Sequence, residues 1–252
     1  VARVKKAEEV RLLAPLIDTQ TLKEENATRR TPKSFHASSI ENCGRQQFYG
    51  MKGVLPDPSV SDPNWKRDAA AGNAIHDQYQ GILLRSGIVL PTDEFLDLAK
   101  WRRADYPVWQ QKDLPKHALE IPLPPNQYRI GGRIDAVVRV EGIVYIFDIK
   151  TLKTKAFNEM VPSNYKFKKF MAQLSVYGYL SGIHNLGVCG ICRDDSLMRE
   201  WLVKYDEEWC VKQFARITEL KRMLDQNILP PREPSWGGCN FCPFASVCAT
   251  DD

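Results

Sequence analysis

Residues 131–151 read Gly-Gly-Arg-Ile-Asp-Ala-Val-Val-Arg-Val-Glu-Gly-Ile-Val-Tyr-Ile-Phe-Asp-Ile-Lys-Thr. Two runs rich in Val, Ile, Tyr and Phe flank Glu141-Gly142, and a two-residue loop containing glycine is the shortest connection that lets right-twisted strands pair. The stretch is therefore expected to form a β-hairpin with Val140 opposite Ile143. Counting outward by twos, Val138 faces Tyr145, Ala136 faces Phe147 and Ile134 faces Ile149. One face is then apolar throughout, which marks it as the core face.

The other face pairs Val137 with Ile146 and Arg139 with Val144, sets Asp135 opposite Asp148, and puts Arg133 beside Lys150. Like charges directly opposite each other on a sheet repel. Two carboxylates this close either share a proton or hold a cation between them, and a hard divalent ion with oxygen ligands is the usual occupant. Lys150 follows Asp148 by two residues and so shares its face. With the intervening Ile149 carbonyl, these groups are the parts of a metal-assisted hydrolytic site in which carboxylates fix Mg²⁺ or Mn²⁺ and the cation orients or activates a water.

Upstream, Val10, Leu13, Ala14 and Ile17 recur at helical spacing in a polar segment, which predicts one amphipathic helix in an N-terminal extension over residues 1–34. Ser38-Ser39-Ile40-Glu41 has the form of a capping box with Ser38 as N-cap, opening a helix that carries Cys43 and Arg45. Pro56, Pro58 and Pro63 mark a loop over 55–65. Residues 68–86 read as a helix with Ala71, Ile75, Tyr79 and Ile82 near one stripe, and His76 on the same helix. Between 91 and 117 a helix followed by a loop is expected; Trp101, Arg102, Arg103 and Trp109 read as core plus solvated charge, the alternative being a surface that stacks on and tracks a single strand. Leu119-Glu120-Ile121 is a short strand.

Downstream, Lys153, Lys155, Lys166, Lys168 and Lys169 share the densest basic segment with Phe157, Tyr165, Phe167 and Phe170. Basic residues interleaved with aromatics suit a phosphate backbone with unstacked bases, so these lysines are the expected DNA contacts. Gln173 and Tyr177 lie four apart on the next helix and share a face. Residues 186–193 and 199–205 form a second hairpin. On its first strand Cys189 and Cys192 are three apart and point to opposite faces, which makes them structural thiols. Residues 207–226 form an amphipathic helix with Cys210 buried.

Seven cysteines are an odd number, and their uneven spacing fits ligands plus buried thiols better than a disulfide framework. Cys239, Cys242 and Cys248 fall in a short tail with Gly237, Gly238 and Pro243 available to bend the backbone, the pattern of a metal or cluster site. Three thiols are one short of a closed tetrathiolate. Cys43 completes the set if its helix docks beside the tail, since the ends of a domain often lie together. Zinc held by the tail and another His or Cys is the alternative.

Gly132-Arg133-Ile134-Asp135 followed by Asp148-Ile149-Lys150 resembles the PD-(D/E)xK signature of RecB-type nuclease domains. The resemblance implies an α/β fold over residues 35–252, a restriction-endonuclease-like mixed sheet flanked by helices, with a metal site at one edge. It implies that His76, in Gly72-x-x-x-His76, reaches the metal from its helix alongside Asp135, Asp148 and Ile149. It implies also that Gln173 and Tyr177 pack near the site and that Glu120 approaches it. One early cysteine, then Cys-x-x-Cys-Pro-Phe and a last cysteine, resembles the CRISPR-associated exonucleases numbered four among the Cas families, and equally the iron–sulfur nuclease domains of bacterial recombination helicases. That likeness implies a [4Fe-4S] cluster on Cys43, Cys239, Cys242 and Cys248 joining the N-terminal helix to the C-terminal tail.

Thirty-five Lys and Arg against thirty-one Asp and Glu leave the chain mildly basic, so nucleic-acid binding must come from a local patch rather than the whole surface. An apolar fraction of 43% suffices for one large core. No apolar run has the length to span a membrane, and the polar start with Lys5, Lys6, Glu8 and Glu9 lacks the apolar stretch of a signal peptide; a cytoplasmic protein without a membrane partner is expected. The activity that the resemblance implies is a metal-dependent exonuclease on single-stranded DNA ends, commonly 5′ to 3′, with partners in CRISPR adaptation, recombination or viral DNA processing. The alternative is a DNA-end-binding partner with a nuclease fold, against which the intact Asp135, Asp148 and Lys150 weigh.

Overall fold

The Glu141-Gly142 loop closes the hairpin with φ of 50° at Glu141 and 80° at Gly142, the left-handed pair of a type I′ turn whose twist matches the strands. The computed structural model describes residues 32–57, 63–233, 239 and 242–251; the amphipathic helix expected around residues 10–17 lies outside them. In chain order the elements are β1 (Phe35–His36), a 3-10 turn (Ala37–Ser39), α1 (Gly44–Met51), α2 (Pro63–Ser86), α3 (Thr92–Leu98), a second 3-10 turn (Arg103–Asp105) and α4 (Val108–Gln111). They continue with β2 (Leu119–Pro122), β3 (Ile130–Gly131), β4 (Arg133–Val140), β5 (Ile143–Leu152), α5 (Thr154–Asn158), α6 (Tyr165–Ser181), β6 (Leu186–Cys192), β7 (Met198–Val203), α7 (Glu207–Asp225) and α8 (Ala245–Thr250).

A five-stranded mixed sheet runs in the order β2-β4-β5-β6-β7. Its β5–β6 pair is parallel and the others antiparallel. A parallel neighbour requires a crossover, and α5 with α6 supply it. The expected hairpin register holds from Val140↔Ile143 through Ala136↔Phe147. A separate parallel pair, Phe35↔Ile130 and His36↔Gly131, ties the start of the described chain to the residues leading into β4.

Both faces of the hairpin carry buried residues, not one, while the Val140–Ile143 pair beside the turn, expected on the core face, is exposed. Val137 and Ile146 sit in the larger apolar cluster with Leu174 and Tyr177 of α6 and Phe214 and Ile217 of α7. Ala136, Val138 and Ile149, on the face expected to be the core, belong to a smaller cluster covered by Ile75, Tyr79 and Leu83 of α2. The reason is the crossover connection: a parallel pair recruits helices to the sheet, and β6 is accordingly buried at every position.

The capping box at Ser38 does not form; Ser38 Oγ is 2.9 Å from His36 Nδ1 instead, and α1 begins at Gly44 with Cys43 as N-cap. The Gly44 amide donates to Glu233 Oε2 at 2.9 Å, so a carboxylate from far along the chain satisfies that helix end. Pro63 opens α2 rather than lying in the loop before it, a first-turn position where its missing N–H costs nothing. Trp101 is buried and edge-on to Phe95 and Arg102 donates to the carbonyls of Leu96 and Ala99, but Trp109 on α4 is exposed rather than part of the core.

Residues 40–57 dock against residues 216–251. Arg216 on α7 donates to the carbonyls of Ile40 and Asn42 at 3.0 and 2.7 Å and pairs with Glu233. Arg45 Nε reaches the Pro230 carbonyl at 2.8 Å. The Asp57 amide donates to the Pro243 carbonyl at 2.7 Å, Tyr49 Oη donates to Asp251 at 2.9 Å, and the Tyr49 and Phe244 rings lie 5.8 Å apart. Among the described residues no helix is long and apolar enough to cross a membrane.

Candidate active site

Asp148 lies at the centre of the sheet on β5 and is completely buried. Lys150, two residues on, donates through Nζ to Asp148 Oδ1 at 2.7 Å and lies 3.4 Å from Gln173 Oε1 on α6. Gln173 Nε2 donates in turn to Tyr177 Oη at 2.9 Å. Because the amide nitrogen is committed to Tyr177, the amide oxygen is the atom that faces Lys150. The Lys150 ammonium also sits 5.3 Å from the centre of the Phe170 ring. Tyr177 fits against Gly132, where a Cβ would come within 3.1 Å of the phenolic oxygen; this approach is the reason for glycine at that position.

At Asp135 the regular hairpin pairing gives way. Its Oδ2 accepts from the Ile149 amide at 2.8 Å, so a side chain takes the place a strand carbonyl would occupy. His76, from α2, brings Nε2 to 3.4 Å from Asp135 Oδ2 and Nδ1 to 3.8 Å from Glu120 Oε1. His76, Glu120 and Asp135 each offer a ligand atom, all within 4.8 Å of one another. That group differs from the expected set, because it includes Glu120 and leaves out Asp148, whose Oδ1 is engaged by Lys150 while Oδ2 has no hydrogen-bond partner. An orphaned, fully buried carboxylate oxygen calls for a cation or a proton.

Electrostatics agree with that demand. Burial pushes the Asp148 carboxyl up to about 7; the Lys150 charge opposes this rise and the Asp135 charge reinforces it. Burial would depress the Lys150 ammonium, but Asp148 and Asp135 outweigh it and raise it above its ordinary value, so Lys150 stays charged. The hydrogen bond to Asp135 raises His76, against the pull of burial. Burial and then the Lys150 charge lower His36 on β1, a neighbour of the site that the sequence did not flag. Gln80 was missed as well, although its place four residues after His76 puts it on the same helix face. Its Nε2 donates to Glu120 Oε1 at 2.7 Å and to the Asp135 carbonyl at 3.1 Å.

The lysines expected to contact DNA have different surroundings. Lys153 pairs with Asp68 of α2, Lys155 is exposed, and Lys166 lies 5.9 Å from the centre of the Tyr165 ring. Lys169 and Lys168 both act on the half-buried Glu41 carboxyl, which burial raises and their charges lower. Phe157 and Phe167 are core residues; exposed Tyr165 and half-buried Phe170 are the aromatic surfaces this segment presents.

Away from these groups, Cys43, Cys239, Cys242 and Cys248 line one cavity of about 120 Å³ together with Arg45, Tyr49 and Glu233. Arg45 reaches Cys248 Sγ at 3.7 Å. Burial raises the Cys242 thiol, its bond to the Phe244 backbone opposes this, and the other three sulfurs raise it further, which is the mutual repulsion a bound metal relieves. Cys189 and Cys192 are buried on β6 and take no part.

A family model described as the PD-(D/E)XK nuclease superfamily matches residues 46–249. Among solved structures, the fold is similar to the crystal structure of SSO0001, with a TM-score of 0.55 at 15% identity over 95% of this chain and 97% of that one. Two structures of LHK-Exo are more distant. In its complex with dAMP the TM-score is 0.49 at 11% identity over 78% of this chain and 90% of that one. The alkaline exonuclease (LHK-Exo) from Laribacter hongkongensis gives 0.47 at 10% identity over 82% and 94%. No curated protein matches the sequence.

Proposed function

The chain belongs to the PD-(D/E)XK nuclease superfamily, and from that premise we propose that it is a divalent-metal-dependent deoxyribonuclease that degrades single-stranded DNA from its ends, in the 5′ to 3′ direction, with a [4Fe-4S] cluster clamping the termini of its fold. The observation that carries this reading is the buried Asp148–Lys150 pair beside Asp135, with one Asp148 oxygen left without a partner. Asp135, Asp148, His76 and the Ile149 carbonyl are the proposed holders of Mg²⁺ or Mn²⁺. Oxygen donors suit both ions, and the imidazole favours Mn²⁺ of the two. When bound, the cation supplies Lewis-acid charge at the scissile phosphate. Lys150, braced by Asp148 and Gln173, presents a fixed ammonium to the charge that gathers on the phosphate oxygens and orients the attacking water. Tyr177 keeps Gln173 in the orientation that braces Lys150.

Lys153, Lys155, Lys166, Lys168 and Lys169 are the proposed phosphate contacts, with Tyr165 available for stacking. Cys43, Cys239, Cys242 and Cys248 are the proposed cluster ligands; four thiols around one cavity suit a four-cysteine iron–sulfur centre. Trimming of single-stranded ends fits partners in CRISPR adaptation, recombination or viral DNA processing.

Incubating the purified protein with linear single-stranded DNA labelled at one end or the other, with Mn²⁺ or Mg²⁺ and with a chelator, tests the reading. Metal-dependent release of 5′ label first, with circular single strands spared, is expected. Intact substrate under every metal condition would refute nuclease function, and degradation of the circles would refute the requirement for an end.

A further inference from the structure

Glu120 has φ of 51° on the edge strand β2, between Leu119, paired with Ala136, and Ile121, paired with Ile134. The chain changes allegiance there: Leu119 packs on the small cluster under α2, and Ile121 is buried in the large one. A left-handed backbone at a residue with a side chain is strained and persists only where surrounding contacts hold it. The hydrogen-bond donor to the Glu120 carboxylate is Gln80, a buried amide on α2, and His76 Nδ1 lies 3.8 Å from the same oxygen.

We propose that Gln80 is a positioning residue of the metal site: its side-chain amide fixes Glu120 and Asp135 together, making Glu120 a cation ligand. An amide nitrogen carries two N–H groups, and both are placed, one on Glu120 Oε1 at 2.7 Å and one on the Asp135 carbonyl at 3.1 Å. The first aims a carboxylate; the second anchors the backbone of the other carboxylate's strand. Helix α2 thereby delivers a ligand, His76, and the brace for two more ligands from consecutive turns. The Glu120 oxygen that Gln80 holds, Oε1, is also the one 3.8 Å from His76 Nδ1, so the bond fixes the carboxylate against the imidazole. The inference rests on the proposed metal dependence of this site, and it adds Glu120 to the holders while assigning Gln80 no contact with the cation.

The test is Mn²⁺ affinity of the purified full chain, read by the loss of the free-ion electron paramagnetic resonance signal, for the parent, Gln80→Met, Glu120→Gln and the double variant. Hydrogen-bonded partners of metal ligands are typically worth about 10- to 100-fold in affinity. Gln80→Met is expected to weaken Mn²⁺ binding about 10-fold or more, Glu120→Gln at least as much, and the double variant by less than the two losses combined, because the brace on Glu120 is lost only once while the brace on Asp135 is still removed. Thermal unfolding in chelator monitors the fold, and Gln80→Ala replaces Gln80→Met if the latter does not fold. Parental affinity in the Gln80 variant overturns the proposal, as does a full additional loss in the double variant, which would mark Gln80 as generally structural. A parent that binds no Mn²⁺ overturns the metal reading itself, and this inference falls with it.

Discussion

Asp148→Asn in the metal-free protein should change how stability depends on pH. Burial raises the Asp148 carboxyl from its ordinary 3.8 to about 7 in the folded state, so between those values the folded chain holds a proton that the unfolded chain has released. Stability therefore falls as pH rises through this window. A tenfold change in proton affinity is worth about 1.4 kcal/mol, and the interval from 3.8 to about 7 amounts to about 4 kcal/mol. Asparagine cannot ionise, and its side-chain oxygen can still accept from Lys150. Urea denaturation followed by tryptophan fluorescence at pH 4 to 8 in EDTA gives the stability difference, variant minus parent. That difference should climb by up to about 4 kcal/mol across the range. Carboxylates elsewhere, and His76, titrate in both proteins and largely cancel. Saturating Mn²⁺ should restore the parent at high pH and do little for the variant, since bound cation stabilises by mass action. A flat difference across pH 4 to 8 would refute the rise that burial imposes on the Asp148 carboxyl against the Lys150 charge.

Neutralising Lys166, Lys168 and Lys169 together should weaken DNA binding and flatten its salt dependence, by roughly 0.7 units of slope per lost contact on a single strand; an unchanged slope in a fluorescence-anisotropy titration would leave the segment as a solvated face. If Cys43, Cys239, Cys242 and Cys248 hold [4Fe-4S], the anaerobically purified protein is brown, and Cys43→Ser loses colour and thermal stability together, the latter by a few kcal/mol as for a long-range cross-link. Cys189→Ser keeps the colour; a colourless, zinc-containing parent refutes the cluster. Gly132→Ala pushes a methyl to 3.1 Å from Tyr177 Oη and 3.2 Å from Ala37 Cβ, which should cost about 1–3 kcal/mol by urea denaturation, and an unchanged midpoint would mean the Tyr177 contact is not tight.

Local rules made much of this protein legible. The two-residue period and Glu141-Gly142 determined the hairpin, its turn and its register as far as Ala136↔Phe147, because strand alternation and turn twist involve only near neighbours; beyond that point the expected pairing of Asp135 with Asp148 gives way to the bond from the Ile149 amide to the Asp135 side chain. Helical spacing likewise set His76 on one helix and Gln173 and Tyr177 on another, and the cysteine spacing marked a tail that the structure gathers, with Cys43, around one cavity. Tertiary structure alone decided that both faces of the hairpin are covered, since the helices that cover them come from residues 63–86, 165–181 and 207–225. It alone decided that Glu233 rather than Ser38 serves the first helix end, that Gln80 joins the acidic site, and that Glu120, which the resemblance placed near it, takes a left-handed backbone there. Each of these depends on a partner dozens of residues away, and no local propensity encodes which distant group will arrive. Packing selects the partner by leaving a buried donor or acceptor that only one approaching side chain can satisfy.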